Sequence, residues 1–281
     1  MEVVLSEKCF GEYLNLIHEL TGITIAKNRT SMIEGRLRKR VSTLKLSSYE
    51  DYLRLVKQDR SEQISFIDLI TTNETYFFRT PRIWDYLETK FLPKWIAEHP
   101  KQVFTAWSAA ASSGEEAHSL GILCQSFKDK HPNFLYQIVG TDISAEMIGL
   151  CQSGAYSGRS IESFRKTRTP LFDRFMRLSD SEEFRVSSEI KSRLRFLQHN
   201  LFRPLPTQDR FDLVLLRNVL IYFTAKDQET VLSLVEPRLA ENGVLIIGES
   251  ESLTHIRTQF KPIEPFVYNS KNASSSMNKA G

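Results

Sequence analysis

The order of apolar and polar positions divides the chain into two regimes. Up to about residue 72, apolar residues recur every three or four positions, the spacing that gives a helix one buried face. Phe10, Leu14, Ile17 and Leu20 form one stripe, and Met32, Ile33, Leu37, Val41 and Leu44 form a second. Tyr49, Tyr52, Leu53 and Val56 follow Ser47 and Ser48, hydroxyl residues suited to capping a helix N-terminus. Ile64, Phe66, Ile67 and Ile70 make a fourth stripe. No strand-like alternation interrupts this stretch, so residues 1–72 are expected to form a small all-helical domain, with 73–102 as a linker.

From residue 103 the pattern changes. Val103–Ala110, Tyr136–Ile143, Arg193–Gln198, Phe211–Leu216 and Gly243–Gly248 are short runs rich in Val, Ile, Leu and Phe. Helix-length segments lie between them at 115–127, 144–153 and 225–240. Strands alternating with helices predict an α/β fold over 103–269, with a doubly wound, mostly parallel sheet. The stretch between Ile143 and Arg193 is too long for one crossover helix. A small inserted element is expected at about 155–192, with Phe184 and Val186 in a short strand. Residues 270–281 are polar and of low complexity, and a disordered tail is expected there.

Composition narrows the function. Lys plus Arg is 37 against 34 Asp plus Glu, a net charge of +3, so any basic surface must be local. One such run spans Lys27 to Lys45, where Glu34 is the only acid. Arg36, Lys39 and Arg40 can share a helical face there, and the run lacks interleaved aromatics to stack bases, which argues against nucleic acid. No apolar run approaches the ~18–20 residues that cross a bilayer, so no membrane insertion is expected. Cys9, Cys124 and Cys151 are scattered without CxxC spacing, which suits a reducing cytoplasm. The histidines never pair at i,i+4 and never fall near cysteines, so no metal site is expected.

In an open parallel sheet, ligands bind beyond the carboxyl ends of the strands. The first run leads into Trp107-Ser-Ala-Ala-Ala-Ser-Ser-Gly114-Glu115-Glu116, small residues before a helix. The second ends in Gly140-Thr141-Asp142, and the fourth in Arg217-Asn218-Val219-Leu220-Ile221-Tyr222-Phe223. Each has a plain structural reading: a tight turn, or a helix cap that Ser144 can equally supply. Together, in order at one end of one sheet, they point to a nucleoside ligand. There is no GxGxxG cradle, and Glu115 and Glu116 would repel a pyrophosphate, which favours S-adenosylmethionine over NAD or ATP.

Five stretches then carry a resemblance: Thr71-Thr-Asn73-Glu-Thr75-Tyr-Phe-Phe-Arg79, the Trp107–Glu116 run, Thr141-Asp142, Asn200-Leu201 and Arg217–Phe223. In these the chain resembles the CheR family of chemotaxis receptor methyltransferases, from about residue 5 to 269. The resemblance implies methylation of glutamate side chains on the cytoplasmic helical bundle of chemoreceptors, with S-adenosylmethionine as donor and S-adenosylhomocysteine as product. It implies cofactor contacts for Asn73, Thr75 and Arg79 in a closing segment, Glu116 near the methionine amine, and Asp142 at the ribose. Asn200 and Leu201 would border the adenine, Arg217 and Asn218 would make further contacts, and Arg79 and Tyr222 would lie nearest the transferred methyl. Ala117-His118 stands where the family usually has Pro-Tyr.

A glutamate with an ordinary pKa near ~4.3 is already a nucleophilic anion at neutral pH, so this chemistry needs alignment rather than a strong base. Two other readings stay open here: a non-catalytic S-adenosylmethionine-binding module of the same fold, and a small-molecule or nucleic-acid methyltransferase. The absence of an Asp/Asn-Pro-Pro-aromatic run after the fourth strand argues against a nitrogen acceptor. The enzyme is expected to act as a monomer and to dock through Arg36, Lys39 and Arg40. In some family members the inserted β-subdomain binds an aromatic receptor-tail pentapeptide. The short glycine-free stretch Arg177–Arg185, with Asp180, Glu182 and Glu183, predicts that this chain works without it.

Overall fold

The structure is a computed structural model that describes residues 4–26, 29–179 and 182–270. Its N-terminal part is four helices, α1 (Glu7–Thr21), α2 (Thr30–Thr43), α3 (Tyr49–Gln58) and α4 (Arg60–Ile70). Side-chain oxygens cap three of them: Ser6 accepts from the Cys9 N–H, Ser48 from Asp51, and Asp59 from Ser61 and Glu62. Tyr13, Tyr52 and Phe66 pack together at the centre, all fully buried.

The basic face expected on α2 requires correction. Arg40 pairs with the buried Glu62 of α4, Nε to Oε1 at 2.9 Å and Nη2 to Oε2 at 2.6 Å, while Tyr52 donates to the same carboxylate. Arg36 Nη1 donates to the carbonyls of Leu69 and Thr71, each at 2.8 Å. These two guanidinium groups lie on the flank of α2 beside the apolar stripe Ile33, Leu37 and Val41, so they fold back, half-buried, onto α4 and its C-terminal end. Arg38, Lys39 and Lys45 remain exposed, and Lys27 lies outside the described residues.

Residues 81–98 of the stretch read as a linker form a helix in three parts: α5 (Pro81–Tyr86), a π-helical turn (Leu87–Phe91) and α6 (Leu92–Glu98). Ile83, Trp84, Leu87, Leu92 and Trp95 bury against the central sheet. Pro93 stands in the first turn of α6, where its missing N–H and its ring prevent a regular α-helix from running through. The π turn absorbs that break.

The central sheet has seven strands: β1 (Val103–Ser108), β2 (Leu135–Asp142), β6 (Leu194–Gln198), β7 (Phe211–Leu216), β8 (Leu239–Ile247), β9 (Phe260–Glu264) and β10 (Val267–Ser270). Their order is β6-β2-β1-β7-β8-β10-β9, parallel except for β10, which pairs antiparallel with both neighbours. Helices α7 (Glu115–Lys130), α8 (Ala145–Ser153) and α12 (Ala225–Val235) connect the parallel strands. The helix expected to run to residue 240 ends at Val235, because Pro237 breaks the ladder and Leu239 already pairs with Phe211. The chain leaves β1 towards β2 and later returns on the other side as β7. The crevice at that reversal is the binding position for this topology.

The insertion after α8 is a three-stranded antiparallel sheet, β3 (Ala155–Tyr156), β5 (Phe184–Val186) and β4 (Met176–Leu178), with helices α9 (Arg159–Thr167) and α10 (Thr169–Phe175). A four-residue helix, α11 (Ser188–Lys191), leads back into β6. Phe184 and Val186 lie in β5 as the sequence suggested. Asp180 falls outside the described residues, as do 271–281 of the expected tail, while Ser270 closes β10.

Candidate active site

A cavity of about 440 Å³ opens at the carboxyl ends of β1, β2 and β7. This is within the ~300–1,000 Å³ typical of small-molecule sites. All ten residues singled out from the sequence line it: Asn73, Thr75 and Arg79 on one wall, Glu116, Asp142, Asn200 and Leu201 behind, and Arg217, Asn218 and Tyr222 opposite.

The turn after β1 is fixed before any ligand is considered. Trp107 Nε1 donates to Thr141 Oγ1 at 2.9 Å, and that hydroxyl donates to the Ala109 carbonyl. Ala111 N–H bonds the Thr141 carbonyl. Gly114 takes φ of +101°, and a Cβ there would sit 2.7 Å from the Tyr156 hydroxyl and 3.1 Å from the Cys151 backbone. Only glycine meets both demands at this helix entrance.

Asp142 ends β2, almost fully buried. Its Oδ2 accepts the Ser112 N–H at 2.8 Å and its Oδ1 the Ser144 N–H at 3.0 Å. Ser144, not Asp142, caps α8, through its hydroxyl on the Met147 N–H. Burial raises the Asp142 pKa from its ordinary value, and the backbone N–H bonds pull it back down. A carboxylate offers about four lone-pair sites and these N–H groups do not fill them all, so a diol on the cavity side can still find an acceptor.

Glu116 lies in the first turn of α7. Its Oε1 accepts from Ser108 Oγ at 2.8 Å and its Oε2 from Arg217 Nη1 at 2.8 Å. Arg217 Nη2 donates to the Arg79 carbonyl, which also accepts from Trp84 Nε1, both at 2.8 Å. Arg217 Nε is buried, with no hydrogen-bond partner among the described residues. The carboxylate of Glu116, held in place by Ser108 and Arg217, would suit a ligand ammonium.

The segment carrying Arg79 is strained and well anchored. Phe78 and Thr80 both have positive φ, 53° and 67°. Phe77 and Phe78 are buried in the core of the sheet domain, and the Phe78 N–H bonds Ser119 Oγ. These contacts hold Arg79 at the cavity, with Nη1 on the Glu74 carbonyl.

Asn200 lines the cavity with its side-chain amide already engaged at both ends: Nδ2 donates to the Leu20 carbonyl and Oδ1 accepts from Phe202 N–H. Sequence reading missed the wall formed by the loop after α1. Thr24 N–H bonds the Tyr222 carbonyl at 2.8 Å, and the Arg29 guanidinium lies 5.0 Å from the Tyr222 ring centroid. His199, also on the wall, has its pKa lowered by burial and stays neutral at pH 7. Glu251 was missed too; it lies beneath the Asn218–Tyr222 turn.

Acceptors at Asp142, a carboxylate at Glu116 and no glycine-rich phosphate cradle fit a nucleoside with an amino-acid arm. With this sheet order, they belong to the S-adenosylmethionine-dependent methyltransferase class. Residues 73–268 match the CheR methyltransferase SAM binding domain, and residues 9–71 match the CheR methyltransferase all-alpha domain. The chain belongs to the CheR methyltransferase family. It is 30% identical over 269 residues to chemotaxis protein methyltransferase 1 of Vibrio cholerae, covering 93% of this chain and 95% of that one. It is 29% identical to Cher2 of Pseudomonas putida (91% and 94% covered) and 30% identical to the chemotaxis protein methyltransferase of Escherichia coli (92% and 89% covered). It is therefore an S-adenosylmethionine-dependent enzyme of chemotaxis.

Proposed function

We propose that this enzyme esterifies glutamate side chains on the helical bundles of chemoreceptors, in the cytoplasm. The observation that carries this reading is the convergence of Arg79 and Tyr222 on the same cavity as Asp142 and Glu116. S-adenosylmethionine supplies an electrophilic methyl group on a sulfonium.

Asp142 would accept from the ribose hydroxyls, Glu116 would face the methionine ammonium, and Arg217 would hold the Glu116 carboxylate in place for it. Asn200 and Leu201 border the adenine, while Asn73, Thr75 and Asn218 complete the enclosure. The acceptor glutamate arrives ionised, so no base is required. Arg79 takes one carboxylate oxygen and leaves the other free to attack, and Tyr222 lines the path of the methyl. Alignment of this kind lowers barriers by up to ~7–11 kcal/mol. The loop after α1 and the segment 71–80 cover the cavity and limit water.

The receptor docks on the exposed residues Arg38, Lys39 and Lys45 of the helical domain, whose charge suits an acidic helical bundle. The enzyme acts as a monomer and without the receptor-tail pentapeptide. Arg79→Ala and Tyr222→Phe test the core of the reading in single-turnover assays. Each should slow methyl transfer far more than it weakens S-adenosylmethionine binding. Wild-type single-turnover rates in either variant would remove that residue from the mechanism.

A further inference from the structure

The turn that presents Tyr222 is held from beneath by a carboxylate outside the cavity. Glu251 lies four residues beyond the end of β8 and is 7% exposed. Its Oε2 accepts two backbone N–H groups, Gly248 at 2.6 Å and Asn218 at 2.9 Å, and its Oε1 accepts Ile221 N–H at 3.4 Å. It makes no ion pair among the described residues, so its buried charge is offset by main-chain dipoles alone. Burial raises its pKa and those N–H bonds oppose the rise.

Two further features converge on the same point. Asn218 has φ of +58°, which turns the chain sharply at the tip of β7. Gly248 leaves room for this arrangement: a Cβ there would lie 2.7 Å from both Asn218 Nδ2 and Glu251 Oε2. Three donors facing one side chain call for an acceptor with no hydrogen of its own, which an ionised carboxylate is and an amide is not. Neither Glu251 nor Gly248 lines the cavity, whereas Asn218, Ile221 and Tyr222 do.

We propose that Glu251 is a positioning residue for methyl transfer, whose carboxylate fixes the Asn218–Tyr222 turn and so sets the place of the Tyr222 side chain on the cavity wall. The proposal rests on the role assigned to Tyr222 above. In Glu251→Gln the amide NH₂ must face a backbone N–H, so the turn loosens while the cavity's own side chains stay unchanged.

The test is a double-mutant cycle of Glu251→Gln with Tyr222→Phe, read by single-turnover rate, S-adenosylmethionine affinity and amide exchange. Glu251→Gln should slow transfer by about 10- to 100-fold, the scale of misplacing a reacting group by about an ångström. Affinity should stay within about threefold, with faster exchange at Asn218 and Ile221. In the Tyr222→Phe background the same change should cost much less, because both act through one side chain. If Glu251→Gln does not fold, Glu251→Asp, which keeps the charge and draws the carboxylate back from the Asn218 and Ile221 N–H groups, takes its place in the cycle with the same expectation. Full additivity with Tyr222→Phe, a loss of affinity matching the loss of rate, or unchanged rates would each overturn the positioning role. A wild-type rate in Tyr222→Phe alone would instead overturn the assignment of Tyr222.

Discussion

Arg217 Nη1 lies 2.8 Å from Glu116 Oε2, joining the tip of β7 to the first turn of α7 across the base of the cavity. The Arg217 side chain is 1% exposed, and its other terminal nitrogen holds the Arg79 carbonyl. One guanidinium thus braces three parts of the site. Arg217→Met would leave Glu116 as an unpaired buried carboxylate. Removing one partner of such a pair costs ~3–5 kcal/mol, so a loss of that size is expected in urea denaturation. An unchanged midpoint would contradict the brace.

Asp142 should govern affinity rather than rate. Asp142→Asn keeps the volume but replaces two acceptor oxygens by one. Losing hydrogen bonds to a charged group costs ~1.5–3 kcal/mol, so calorimetry should show S-adenosylmethionine binding weakened by about 10- to 150-fold. Unchanged affinity in the folded variant would remove the ribose contact.

His118 makes stability depend on acid. The ring is fully buried, with Nδ1 near the Gly114 carbonyl and the Tyr156 hydroxyl, and burial lowers its pKa from 6.5 to about 3. Between those values the unfolded chain holds a proton that the folded chain does not. The stability is therefore fully present above pH 6.5 and is lost as pH falls towards 3. From pH 6.5 to 5 the loss should be about 2 kcal/mol, and His118→Gln, which keeps a polar group there, should lack that component. Parallel denaturation profiles for the two proteins would contradict this.

The α2 arginines should separate stability from docking. Arg40→Ala strands the buried Glu62 and should cost ~2–3 kcal/mol, below the full buried-pair value because Arg40 keeps contact with solvent. Charge reversal at Lys39 and Arg38 should leave stability nearly unchanged and raise KM for receptor, most strongly at low salt. A KM unaffected at low salt would move the docking surface elsewhere.

The limits of the sequence reading follow from the same contacts. The parallel strands were legible because buried strands read as short apolar runs, and the site because each strand tip announces itself in adjacent residues. Strands β9 and β10 were not, being short and holding Pro262 and several polar residues. The helix over 81–98 was obscured by Pro93, although Ile83, Leu87 and Trp95 repeat at helical spacing. Arg36 and Arg40 looked like surface because periodicity places them on a flank without saying what packs there. The Thr24 contact with Tyr222, and Glu251 beneath Asn218, join residues far apart in the chain, and no local pattern encodes them.

The most direct measurement of the central claim is transfer of labelled methyl from S-adenosylmethionine to chemoreceptor-containing membranes, followed by mild alkali. A glutamate methyl ester releases its label as volatile methanol, and that release, absent with Arg79→Ala, is the predicted result. Label that stays on the protein in alkali, or no transfer by an enzyme that still binds S-adenosylmethionine, would contradict the account.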